Sequence, residues 1–391
     1  MVNRGSTGWL PSIRQAITGS HQCWHGRRYE CAHKTRDQSF RVNRPHPVSL
    51  HIGQGQRPFN HAQGQIVFLQ RETASTGVYS IQFDESDPAN SEIELRPTLR
   101  RATAGAHATD VLSPWTNTQL FHDLLQWIVW REGRSLKALS SAETSPTSFE
   151  FPVEPDFLVR PPLQPAGGPV EVLAVKGSSL SMVSIAPHLE SKPAFAWRAE
   201  LPAPPFIITA ALGPVAGGST RHIVFAVRHG DSTSLFHALY TASGLGPMES
   251  VPLPDGHLLE KVPLTVAVTE DGVVHAAAIQ TSDGGKVLSL VEVQFGMGKP
   301  PQVAARPLPL LEKPPVEGTV LYVMVKGAIS RREVVLSSDG DLWNLASSGQ
   351  FTKIAPRRAF VSPVCVVAGL ELSYLLYQDA NGAFQFVPLN R

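Results

Sequence analysis

The residues best suited to chemistry are aromatic side chains with polar neighbours. Trp115, Trp127, Trp130, Trp197, Trp343, Tyr240 and Tyr377 offer flat apolar faces, and Arg131, Arg228, His237, Asn344 and Gln378 stand beside several of them. An aromatic face against a sugar ring, with charged or amide groups on the hydroxyls, is the chemistry of carbohydrate recognition, because each desolvated hydroxyl needs a partner. The same aromatics also suit the space between packed sheets, where a large apolar surface is buried.

Other chemistries find less. His21, Cys23, His25, Cys31 and His33 fall within 13 residues, but their spacing matches no common zinc arrangement, so no metal is expected. No phosphate-cradling glycine loop leads from a strand into a helix, and no cofactor is expected. Nucleophilic triads and paired catalytic carboxylates cannot be assigned from spacing, since their members meet only in space. Ser337-Ser338-Asp339-Gly340-Asp341-Leu342-Trp343 is one residue short of the Asp-box turn of sialidases and occurs once; it reads as a hairpin.

The elements that must position these residues are short. Apolar runs of four to eight residues recur after residue 45, each bounded by turn residues, and such runs read as strands. Ser282-Asp283-Gly284, Ser338-Asp339-Gly340 and Ala380-Asn381-Gly382 each join two runs. Asp-Gly and Asn-Gly supply the positive φ angles of type I′ hairpins. Looser turns at Gly77, Gly133, Gly177 and Gly230 do the same, which makes seven hairpins with a mean spacing of about 51 residues.

A fixed period of all-β units points to a β-propeller of seven four-stranded blades. One blade reads in full: Thr319–Val325, Glu333–Leu336, Asp341–Leu345 and Phe351–Ile354. Pro-rich segments at Arg160–Pro169, Leu201–Pro205, Pro300–Pro309 and Lys313–Val316 read as crossings between blades, because proline cannot donate to a ladder. The last blade stops after three strands, and Pro47–Ile52 is the expected donor of a fourth. Helical spacing of Leu120, Phe121, Leu124, Leu125 and Ile128 marks an alternative: a helix there would leave six blades.

These hairpins resemble those of the β-propeller lectins. Val224–Arg228 leading to Leu235-Phe236-His237, and Val334–Leu336 leading to Leu342-Trp343-Asn344, resemble the blade motif of the seven-bladed Photorhabdus-type fucose lectins. Leu376-Tyr377-Gln378-Asp379 with Asn381-Gly382 resembles a repeat of the six-bladed fungal fucose lectins. The resemblance implies pockets between blades that bind carbohydrate, fucosylated glycans included, through Arg228, Phe236, His237, Trp343, Asn344, Tyr377 and Gln378. The sequence also departs from the pattern. Where the fungal lectins place an Arg and a Glu on fucose, the final hairpin holds Tyr374 and Phe386, which cannot make those hydrogen bonds.

Composition narrows the classes. The 391 residues include 31 Gly and 33 Pro and carry a net charge of +1. That near balance argues against a dedicated nucleic-acid binder. It conceals an uneven distribution. Residues 1–50 hold eight basic residues against Glu30 and Asp37, a net of +6, so the rest of the chain carries −5. Residues 1–45 therefore read as a disordered basic tail, of the composition that organellar transit peptides share, and residues 46–391 as the propeller. Three cysteines give no disulfide framework, and no apolar run spans a membrane, so a cytoplasmic setting is expected. The expected function is a non-catalytic, lectin-like binding protein. The alternatives are a protein–protein interaction scaffold and, third, a sialidase-like glycoside hydrolase. The partner is accordingly a glycan or a protein.

Overall fold

Alternating and near-continuous apolar runs broken by glycine turns can bury their faces only by pairing into sheets and stacking those sheets. The computed structural model shows this arrangement. It describes residues 38–41, 47–53, 64–71, 76–85, 95–103, 108, 110–112, 115–116, 125–140, 145–159, 170–185, 194–213, 220–296, 298–325, 327–346, 348–355, 365–368, 373–378 and 383–389. Side chains are described for those of these residues between 128 and 354, apart from Ser140, Val170, Leu212, Met324 and Val325, and for Ala108, Leu375 and Leu389.

Seven antiparallel sheets follow one another along the described chain. Blade 1 is Pro47–Gly53, Gly64–Arg71, Thr76–Glu85 and Leu95–Thr103. Blade 2 is Asp110–Leu112, with Trp115–Thr116, then Leu125–Glu132, Ser135–Ser140 and Thr147–Glu150. Blade 3 is Phe157–Val159, Val170–Lys176, Ser179–Ile185 and Ala194–Glu200. Blade 4 is Ile207–Leu212, Arg221–His229, Ser232–Thr241 and Gly244–Pro252. Blade 5 is His257–Leu258 with Thr265–Val268, then Val274–Ser282, Val287–Gly296 and Lys299–Leu308. Blade 6 is Glu317–Val325, Ala328–Ser338, Asp341–Leu345 and Phe351–Ala355. Blade 7 is Cys365–Ala368, Ser373–Gln378 and Ala383–Pro388, completed by Gln38–Arg41. The first strands of successive blades are neighbours from blade 1 to blade 7, so they form the inner wall of a propeller.

The seven expected hairpins are the second and third strands of the seven blades. Gly133, Gly177 and Gly230 take φ of +58°, +57° and +61° at the first central turn position, as a type II′ turn requires. Asp339 and Gly340, at +51° and +77°, both lie in the left-handed region of a two-residue type I′ turn. The Asp283–Gly285 turn is longer, a single 3-10 turn. Asn381-Gly382 lies outside the described residues.

Two expectations change, and the helical alternative falls. The strand that completes blade 7 is Gln38–Arg41, with Gln38 opposite Phe386 and Arg41 opposite Ala383, while Pro47–Gly53 opens blade 1. Leu125–Glu132 is a strand, as expected, paired with Ser135–Ser140, and the consecutive residues Ile128, Val129 and Trp130 are all buried, as one helical stripe would not leave them; residues 117–124 lie outside the described residues. Lys299–Leu308, with Pro300, Pro301 and Pro307, is the outer strand of blade 5 rather than a crossing. An edge strand has one unpaired side, where the missing donor is harmless. Leu201–Pro205 and Lys313–Val316 do connect blades, and Arg160–Pro169 lies outside the described residues. Residues 1–37 also lie outside them.

The core is a series of seams between blades. Alternation sends odd residues of Arg221–His229 toward blade 3 and even ones toward blade 5. Ile223, Phe225 and Val227 pack with Leu173, Val175, Leu180 and Met182 of blade 3. Val224 and Ala226 pack with Val266, Ala276 and Val293 of blade 5.

Candidate functional site

Three of the seams are sealed by polar groups toward the end where the first and second strands join. Between blades 3 and 4, Glu171 accepts a charge-assisted hydrogen bond from Arg221. Both side chains are largely buried, and the Tyr240 hydroxyl, held above its ordinary range by burial, lies in the same seam. Between blades 4 and 5, Nδ1 of His222 meets Nε2 of His237 at 2.9 Å, and Nε2 of His222 meets the Thr220 hydroxyl at 3.0 Å. Burial lowers the His222 pKa to about 4, aided by the neighbouring His237, and burial lowers that of His237 as well. Between blades 5 and 6, the buried Glu292 accepts from the Tyr322 hydroxyl at 3.0 Å, from Arg332, and pairs with Arg306 at 3.1 Å. Burial and the Glu292 carboxylate raise the Tyr322 pKa. Ionic groups desolvated in this way are satisfied by one another and hold the blades in register.

The opposite face carries the turns between second and third strands. A groove of about 590 Å³ opens there across blades 4, 5 and 6. Asp231, Asp255 and Asp283 line it, with His257 and the Pro314-Pro315 step. Asp231 and Asp283 belong to hairpin turns and Asp255 to the connection between blades 4 and 5. The three carboxylates are exposed and have no ion pair among the described residues.

The residues expected to bind sugar do not converge on one pocket. Phe236 stacks on Phe225 with ring centroids 5.1 Å apart, in the seam with blade 3. His237, next along the strand, points the other way into the seam with blade 5, where it packs against Phe295. Arg228 shares that seam but lies toward its turn end, paired with Glu260 at 2.6 Å and stacked over Phe206. Trp343 and Asn344 are successive residues of one strand and face opposite seams, and Asn344 is buried. Tyr377 and Gln378 belong to the strand Ser373–Gln378, and their side chains lie outside the described residues. Of the other aromatics, Trp130 is buried and donates to Glu132 at 2.8 Å, and Trp197 fills the seam between blades 3 and 4 and donates to the Thr241 carbonyl. Arg131 is bonded to Glu154 at 2.8 Å.

Sequence reasoning passed over Glu171, Arg221, His222, Glu292 and the three groove aspartates. A signal existed for the first group. Glu171 and Glu292 are each flanked by two valines, as in Val170-Glu171-Val172 and Val291-Glu292-Val293, and a charge on a buried stretch of strand requires a partner. Asp231 and Asp283 were legible only as turn residues.

Sheet number, strand order and seam packing define a β-propeller. No family model and no curated protein sequence matches the chain. Among solved structures, it is similar to BBS1N from a crystal of BBS1N in complex with ARL6DN, soaked with lead. That likeness has a TM-score of 0.50 at 12% identity, over 90% of this chain and 94% of that one. It is also similar to the beta-propeller domain of Myceliophteria thermophila Cps50 (Swd1), with a TM-score of 0.48 at 8% identity, over 90% of this chain and all of that one. At 12% identity the likeness to BBS1N establishes the fold alone.

Proposed function

We propose that the chain is a non-catalytic interaction scaffold that holds a protein partner on the turn face of its propeller. The observation that carries this reading is the open groove across blades 4, 5 and 6, with Asp231, Asp255 and Asp283 exposed around it. Turns held on a rigid sheet scaffold are the usual place for recognition. Three exposed carboxylates with no ion pair among the described residues suit a protein surface bearing lysine or arginine. BBS1N, which shares the fold, was crystallised with a protein partner, ARL6DN; a scaffold role is in keeping with that. The carbohydrate reading has less support. Phe236, His237, Trp130 and Trp197 are engaged in packing within and between blades, which withdraws them from a ligand.

The test is affinity purification with the full chain and with a variant carrying Asp231→Asn, Asp255→Asn and Asp283→Asn. The scaffold reading expects a directly binding protein that the wild type retains and the triple variant loses, with thermal unfolding unchanged. Equal recovery by both proteins would refute the assignment of the groove. Glycan-array binding by the folded wild type, competed by a free monosaccharide, would restore the carbohydrate reading.

A further inference from the structure

A second groove, of about 200 Å³, lies in the seam between blades 2 and 3, away from the acidic groove. Its origin is a β-bulge. Met182 pairs with Trp197 and Val183 with Phe195, so Ala196 is the extra residue on the outer strand. A bulge re-aims the side chains around it. Trp197 packs toward blade 4, whereas Phe195 packs toward blade 2, and Arg198 comes to the same side as Phe195. Phe149, Phe151 and Phe195 meet edge to face with centroids 4.9–5.9 Å apart. Its floor is made of the small side chains of Ala174 and Ser181. The space above them stays open between Phe151 and Val153 on one side and Phe195 and Arg198 on the other.

Two features of this groove await a partner. Val153 stands on its lip at 58% exposure, although it is a large apolar residue. The Arg198 guanidinium stacks over the Phe195 ring at 4.0 Å but has no carboxylate partner among the described residues. The neighbouring cation, Lys176, is already paired with Asp156 at 2.7 Å. The groove therefore presents an aromatic-walled slot for one side chain, beside a guanidinium with no carboxylate partner among the described residues.

We propose that this slot is a docking site for an extended segment of a partner protein. That segment places one large apolar side chain between Val153 and Phe195, with an Asp or Glu within two residues of it that pairs with Arg198. Apolar burial supplies the anchor and the ion pair fixes its orientation. The inference goes beyond the scaffold reading, since it concerns a different seam and partners of opposite charge.

A displayed library of random heptapeptides panned on the full chain tests it. Selected sequences are expected to converge on an aliphatic or aromatic residue close to an acidic one. A synthetic peptide of the selected sequence should lose about tenfold or more in affinity on Ser181→Trp, which fills the slot, and on Val153→Asp, an exposed change that leaves the fold intact. Arg198→Ala should weaken it about two- to fivefold, the scale of one exposed ion pair. Arg198→Glu should recover binding when the peptide's acid is replaced by lysine. Absence of a convergent sequence, or selected peptides indifferent to Val153→Asp and to the charge at position 198, would overturn the proposal. The triple aspartate variant should bind the same peptide normally, so failure of this site and failure of the scaffold reading are distinguishable.

Discussion

His222 and His237 face each other across the second and third strands of blade 4, stacked 5.2 Å apart with 19° between their planes and joined Nδ1 to Nε2 at 2.9 Å. Both are buried in the seam with blade 5, and among the described residues only Glu249, 3.8 Å from His237, offers a compensating charge. One ring must supply the proton and the other must accept it, so the pair is stable with both imidazoles neutral.

Stability should therefore depend on pH in a defined window. The His222 pKa lies near 4 in the folded chain against an ordinary 6.5, so between these values the unfolded chain binds more protons. Stability then rises with pH across that window and is lost as pH falls from about 6.5 toward 4. His237 and His275, whose pKa values burial also lowers, act in the same direction. Denaturant titrations from pH 8 to pH 4 should show a plateau above neutrality and a decline of about 3 kcal/mol below it. Combining His222→Leu with His237→Leu should flatten the slope, leaving the contribution of His275. Asp156 and Asp271, held below 3.8 chiefly by hydrogen bonds, lose their contribution only at still lower pH.

Glu292 holds the seam between blades 5 and 6 through two partners on blade 6, Tyr322 and Arg332. Glu292→Ala should destabilise the chain by about 3 kcal/mol, since it leaves the Tyr322 hydroxyl buried without an acceptor and Arg332 without its carboxylate. Urea unfolding measures the loss. Arg306→Ala should matter far less, because that side chain is 61% exposed.

Gly318 is required for close approach rather than for backbone freedom. A Cβ there would stand 2.3 Å from the Val335 carbonyl oxygen and 2.8 Å from Cδ2 of Leu336. The inner strand of blade 6 would have to move off its neighbour. Gly318→Ala should lower the thermal midpoint, at a stability loss of about 1–3 kcal/mol.

Phe225 and Phe236 distinguish packing from ligand binding. Phe225 is fully buried and stacked on Phe236. Phe225→Ala should reduce stability by about 3–5 kcal/mol. Phe236→Ala, at a partly buried site, should reduce it by less. If Phe236 instead served a sugar, its removal would abolish binding on a glycan array while leaving the unfolding midpoint in place.

The repeat was legible in the sequence because its signals are local. Gly133, Gly177, Gly230 and Asp339-Gly340 occupy turn positions that demand positive φ, and the apolar runs beside them suit strands buried on both faces. Seven such hairpins along one chain leave few architectures open. The site residues were not legible, because pairing across a seam depends on which blade stands next and on the parity of each strand. Glu171 meets Arg221 50 residues away, and Glu292 meets Tyr322 30 residues away. Phe236 and His237 adjoin in sequence, yet a strand sends them to opposite seams. Ring closure was likewise a tertiary decision, since Gln38–Arg41 and Pro47–Gly53 are both short strands and only the free edge at Ala383–Phe386 selects between them. Local backbone chemistry determined the seven hairpins; the stacking of blades decided which of their side chains meet.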